Sequence, residues 1–158
     1  VTDPAKPALM NVIEEGLRDT HKNFWECDSG IAYLVSGPVG WRVVRMLQVY
    51  DLSDPAKPVF IRNFGLPGQE PGAKGPTPGG VHGAVSTGPK GNRVYVAYDN
   101  ARNGVIQILD RDKLIHGAPE VTEANLKYPE IARVDMPEDI GGHNVVPMLQ
   151  MPLPEFGM

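Results

Sequence analysis

His21, His82 and His143 recur at a constant spacing of 61 residues, a regularity that places three imidazoles at equivalent points of any repeating fold. Imidazole is a common ligand of copper and zinc. A set of three such nitrogens leaves a further coordination position open for water or substrate. Asp19, Glu138 and Asp139 lie near these histidines in the chain and could orient imidazole N–H groups or complete the coordination. A metal held there would act as a Lewis acid or a redox centre. The competing reading is structural, with each histidine hydrogen-bonded inside its own repeat and binding nothing. His116, in LIHGAPE, falls outside the register and reads as a surface residue.

The elements that must position these residues are short strands. Glycine (18) and proline (16) punctuate runs rich in Val, Ile and Tyr, which is the pattern of an all-β fold. The runs are residues 8–14, 21–26, 31–36, 44–51, 58–64, 82–87, 93–98, 105–110, 130–136 and 143–149. Helical periodicity is absent apart from one turn around Arg111 to Ile115. Tyr33 follows His21 and Tyr95 follows His82 at nearly the same offset, and MLQVYDLSD then matches VIQILDRDK, aligning Asp51 with Asp110. The unit is therefore a His strand, a Tyr strand, a strand ending in Asp, and a return strand.

Four short strands per unit of about 50 to 60 residues is the signature of β-propeller blades, which bury their faces only by stacking on neighbours. The segment DPAKP occurs at residues 3–7 and again at 54–58. Its prolines cannot donate to a strand ladder and its Asp favours a turn, so 51–58 is expected to form the corner between the third and fourth strands. On this register residues 1–158 form one partial propeller of about two and a half blades, with 8–14 ending one blade and His143 beginning another. A closed ring needs roughly four to eight blades, so the partners implied are further blades, from additional sequence or another chain. The rival fold is an irregular β-sandwich.

Composition narrows the partners. A formal net charge of -4 gives no basic footprint for nucleic acid, and no stretch is apolar for long enough to span a membrane as a helix. With Cys27 as the single cysteine no internal disulfide exists, and it reads as a small half-buried thiol beside a strand. Ser36, Ser53 and Ser86 lack a nucleophile elbow, which leaves serine hydrolysis without support. The paired acids Glu14-Glu15 and Glu138-Asp139 read as solvated charge near turns, and Trp25 and Trp41 as packing or rim residues. DNARNG at 99–104 reads as a hairpin turn in which Asn103 and Gly104 supply positive φ, with calcium binding a minor alternative. The Gly/Pro-rich loop 65–80, GLPGQEPGAKGPTPGG, is either a lid over one face or an ordinary connection, and its glycines open no phosphate-binding helix.

LQVYDLSDPAKPVFIRNFGLPGQ, followed by GVHGAVS, NRVYVAY, VIQILDR and GGHNVVPML, resembles the bacterial LVIVD-repeat β-propellers from about Asp3 to Pro147. The second corner departs from the family pattern, reading DRDKLIHG in place of SDPxxP. The resemblance implies a periplasmic, cell-surface or secreted setting. It implies no particular reaction, although distantly similar propellers include copper-dependent oxidoreductases of sulfur compounds whose channel histidines hold metal. Three functions are thus in play. The first is a platform binding a protein or small-molecule ligand. The second is a metal-dependent, copper-type oxidoreductase using His21, His82 and His143. The third is a structural subunit that completes a propeller with another chain.

Overall fold

The structure is a computed structural model that describes residues 3–99 and 101–157. Its framework is two antiparallel four-stranded sheets, each an uninterrupted meander in chain order. The first contains β1 (Arg18–Trp25), β2 (Ile31–Gly37), β3 (Met46–Asp51) and β4 (Val59–Phe64). The second contains β5 (Val81–Ser86), β6 (Arg93–Tyr98), β7 (Val105–Asp110) and β8 (Glu130–Asp135). Strand alternation explains how they meet. Tyr33, Val35, Leu47, Val49 and Phe64 point from one face of the first sheet, and Val94, Val96, Tyr98, Val105 and Leu109 from one face of the second. All ten are buried in one continuous core, which makes the interface between the sheets the main source of stability. β1 and β5 lie side by side along this seam.

The two sheets repeat each other, but their repeated faces look different ways. Gln48 on β3 and Gln107 on β7 occupy the same place in the repeat, yet Gln107 lies on the seam face and Gln48 on the face turned away from it. Each amide is satisfied in the same manner. Gln48 accepts from Ser36 at 2.7 Å and donates to Glu14 at 2.6 Å, while Gln107 accepts from Tyr98 at 2.7 Å and donates to Glu130 at 2.6 Å. Tyr33 lies in the seam, whereas its counterpart Tyr95 stands with Ile106, Ile108, Ala132 and Val134 on the far face of the second sheet. Sheets with a front and a back therefore stack directionally, front of one on back of the other.

The corner 51–58 forms as expected: Asp51 accepts from the Ser53 amide at 2.8 Å and Asp54 from the Ala56 amide at 3.1 Å. The second corner is built otherwise. Asp110, the counterpart of Asp51, accepts from the Lys113 amide at 3.0 Å and caps helix α2 (Arg111–His116). A short further helix, α3 (Glu123–Lys127), is capped by Thr122. Leu114, Ile115 and Leu126 from these helices close one side of the seam. Arg62 of β4, 1% exposed, donates to the carbonyls of Leu114 at 3.3 Å and Asn125 at 3.2 Å, tying the first sheet to the second sheet's insertion.

Several expectations need correction. Residues 8–14 and 143–149 are not strands, because a strand requires a neighbour for its backbone groups and neither run has one among the described residues. Two complete sheets stand where about two and a half were anticipated. Only the end of the first run meets the back of the first sheet, where Ile13 packs near Ala32 and Tyr50, while residues 8–12 are exposed. Glu14 is half-buried rather than solvated, accepting from Gln48 and Tyr50 at 2.6 and 2.5 Å. Cys27 is exposed, not half-buried. Trp41 is a core residue, while Trp25 is half exposed. In DNARNG the positive φ falls on Asp99 and Asn103, not on Gly104.

The loop 65–80 has no regular structure but is braced from within. Arg42 grips the carbonyls of Gly68 and Gly75 at 2.8 and 2.7 Å, and the fully buried Gln69 ties the Leu66 amide to the Gly79 carbonyl.

Candidate functional site

The seam carries one polar cluster at each end of β1 and β5. At the far end, Glu26 follows β1 and Arg111 follows β7. The guanidinium donates to both carboxylate oxygens, at 2.9 Å to Oε1 and 2.7 Å to Oε2. Tyr33 donates to Glu26 at 2.6 Å, and the Ser29 and Ser86 hydroxyls complete its shell. Both charged side chains are about 95% buried, each being 5% exposed. Burial alone would push the Glu26 carboxyl up, but the Arg111 guanidinium and the three hydroxyls outweigh it and hold its pKa down to about 2. Burial and the adjacent Glu26 charge together push the Tyr33 phenol well up. Both oxygens of this carboxylate are thus fully engaged by protein donors. Glu26 and Arg111 are 85 positions apart, and nothing in the local sequence of either marks them as partners.

At the near end the three histidines meet. His21 sits where β1 slips register on both sides, between Arg18 and His21 and between His21 and Phe24. Asp19 and Lys22, flanking it, have φ of 50° and 41°, which side chains other than glycine adopt at a cost. His82 occupies the matching slip in β5, between the paired residues Val81 and Gly83. Such bulges turn a side chain away from the direction the pleat would give it, and here they aim both rings into the seam. His21 Nε2 and His82 Nε2 are 3.3 Å apart, with ring centroids at 4.8 Å.

His143 reaches the site on a strap rather than a strand. The amides of Asn103 and Gly104 donate to the carbonyls of Glu138 at 3.2 Å and Ile140 at 2.9 Å, and the Gly142 amide donates to the Asp99 carbonyl. The strap lies so close that a methyl group on Gly142 would stand 2.5 Å from the Tyr98 carbonyl oxygen. It delivers the His143 carbonyl to His82 Nδ1 at 2.5 Å, and the His143 ring stacks on His82 at 4.1 Å.

These contacts assign the protons. His82 is buried, and burial first, with the nearby His143, Lys22 and His21 groups, lowers its pKa against the opposing effect of the carbonyl bond. Because the His143 carbonyl can only accept, His82 Nδ1 carries a proton, and its Nε2 faces His21. A backbone carbonyl on Nδ1 and a free Nε2 is the arrangement that presents a histidine to a metal. Two nitrogens bound to one ion at ~2.0–2.1 Å with a tetrahedral angle stand ~3.3–3.4 Å apart, which matches the observed separation. An ion replacing the shared proton would find two ligands in place.

The third does not point there. His143 Nδ1 is 3.5 Å from the Lys22 ammonium, which also donates to Asn144 at 3.2 Å. Among the described residues no group of three His, Cys, Asp or Glu side chains is arranged around a common point suited to a metal. The anticipated acids are elsewhere: Asp19 pairs with Arg45 at 2.7 Å, Glu138 contributes its carbonyl to the strap, and Asp139 is exposed. His116 is exposed, away from the cluster. A cleft of about 170 Å³ opens on His82, lined by Val44, Arg45, Gly80, Val81 and Asp99. Compared with known proteins, the chain matches no family model, no curated protein and no solved structure.

Proposed function

We propose that this chain forms two adjoining blades of a β-propeller whose seam binds copper or zinc through histidine, making it a metal-dependent binding platform. The observation that carries this reading is the His21–His82 pair: two imidazoles aimed by matched bulges, one with its outer nitrogen held by a carbonyl, at the spacing of adjacent metal ligands. His21 and His82 would hold the ion, and a turn of the His143 ring away from Lys22 would add a third ligand. Bound metal would supply Lewis-acid or one-electron chemistry of the kind the resemblance to copper-dependent propellers suggests. The chain's own contribution is to fix the tautomer of His82 through the His143 carbonyl and to limit access to a small cleft. The resemblance to LVIVD-repeat proteins supports an extracytoplasmic setting for such a platform.

Titrating the metal-free protein with Cu²⁺ and Zn²⁺ by calorimetry tests this directly. One ion per chain should bind, and His82→Ala should weaken binding about 100-fold while changing the melting temperature little. Stoichiometric binding retained by His82→Ala would move the site elsewhere.

A second observation favours assembly. The apolar strip of Tyr95, Ile106, Ile108, Ala132 and Val134 is the repeat equivalent of the first sheet's seam face, and no sheet covers it among the described residues. Its occupant is a further sheet presenting a glutamine-bearing third strand, as Gln107 does to the first sheet. Wild-type protein should self-associate in sedimentation, and Ile108→Lys should make it monomeric. A wild-type chain that is monomeric at all concentrations and melts cooperatively counts against this reading.

A further inference from the structure

We propose that the turn after β1 carries a binding site for an organic ammonium cation, centred on the Trp25 indole and the Asp28 carboxylate. The site lies at the Glu26–Arg111 end of the seam and is independent of the histidines. Residues 25–28 form a ridge between two clefts. One, of about 400 Å³, is bordered by Trp25, Asp28, Leu52, Ser53 and Pro55. The other, of about 230 Å³, is bordered by Trp25, Asp28, Phe24 and Ser86. The larger falls within the roughly 300–1,000 Å³ of small-molecule sites. An aromatic ring and a carboxylate therefore border both openings.

The ridge is held by its backbone. The Glu26 amide donates to the Ile31 carbonyl, the Gly30 amide to the Glu26 carbonyl and the Leu52 amide to the Gly30 carbonyl, each at 2.8 Å. Gly30 has a φ of 78°, and a methyl group there would stand 2.6 Å from the Ser53 backbone, so this turn and the 51–58 corner close directly on each other. Between Trp25 and Asp28, Glu26 is locked to Arg111 at 2.7 Å. Trp25 itself is 49% exposed, and Asp28 is exposed with no ion-pair partner among the described residues.

Charge selects the ligand. Among the described residues no Lys, Arg or His lines either cleft, and Glu26, the other acid there, is neutralised by Arg111. The Asp28 charge therefore opposes an anion and favours a cation. An indole face attracts the same sign of charge through its ring quadrupole, more strongly than other aromatic side chains do. A carboxylate alone would serve a bare metal ion equally well. The apolar walls given by Trp25, Leu52 and Pro55 favour a cation surrounded by carbon, which is an alkylated ammonium. A free small amine and a lysine side chain of another protein share this chemistry.

The test is an NMR titration of the intact protein with choline chloride, read from the N-methyl resonance, against 3,3-dimethylbutanol, its uncharged isostere. Choline should bind with its methyl signal shifted upfield by the indole ring, and the isostere should bind about tenfold more weakly or worse. Trp25→Leu and Asp28→Asn should each weaken choline binding about three- to fivefold, with Trp25→Phe falling between Trp25→Leu and wild type. Both side chains are exposed, so these variants should melt with the wild type. Absence of choline binding overturns the proposal, as does equal binding of the isostere or unchanged affinity in Trp25→Leu or Asp28→Asn. The histidine site stands in each of those cases. N-acetyl-lysine methylamide in the same titration separates the two sources. Tighter binding than choline assigns the site to a lysine side chain, and weaker binding assigns it to a free small cation.

Discussion

The two ends of the seam between the sheets solve the same problem in opposite ways. Each buries polar side chains from both sheets, separated along β1 and β5 by about 15 Å of extended chain. At the Glu26–Arg111 end every charge is paired and every lone pair is used. At the histidine end one Nε2 faces the Nε2 of another ring, and the Lys22 ammonium has no carboxylate partner among the described residues. A saturated cluster fastens two surfaces, whereas the histidine end, set on strained backbone, is the one on which the proposed metal site rests.

The comparison can be broken most forcefully at the fastened end. Arg111→Ala leaves the Glu26 carboxylate buried without its cation and should cost about 3–5 kcal/mol of stability, read from urea unfolding. A loss below about 1 kcal/mol would mean that the pair is not what joins the sheets. The same carboxylate predicts an acid limit. Its folded pKa of about 2 lies below the value near 4.5 of an unfolded glutamate. The stability it contributes is therefore complete above about pH 5 and is lost as pH falls toward 2. Unfolding midpoints measured across that range should fall steeply in the wild type and less in Glu26→Gln.

Removing only the phenolic donor with Tyr33→Phe should cost about 1–2 kcal/mol, since the other donors remain. At the histidine end the ranking of effects reverses. Gly142→Ala forces the strap away from the Tyr98 carbonyl and so withdraws His143. Copper affinity should drop by about tenfold, while unfolding free energy changes by no more than about 1 kcal/mol. If copper binds that variant unchanged, His143 is no ligand and its carbonyl is dispensable to His82.

Much of this was legible before any coordinates. The expected runs placed β2, β3, β6 and β7 within two residues of their observed bounds, because buried strands are written as short runs rich in Val, Ile, Leu and Tyr between turn residues. The corner at 51–58 was legible because Asp and Pro form turns by local chemistry. The helices after Asp110 were only partly so: one turn was visible, but α3 is five residues long and draws its stability from burying Leu126. The recurrence of histidine marked three equivalent positions. It did not show that two would lie at bulges and the third on a strap.

What the sequence by itself determined is eight of the ten expected strands, the repeat, and the equivalence of His21 and His82, since these follow from short-range periodicity and spacing. Only the tertiary structure decided which face of each sheet enters the seam, that Arg111 would find Glu26, and that Lys22 rather than Asp19 would stand over the rings. The physical reason is that a strand's alternation defines two faces without saying which will be buried. That choice is made by the stacking of one sheet on another, through contacts between residues far apart in the chain.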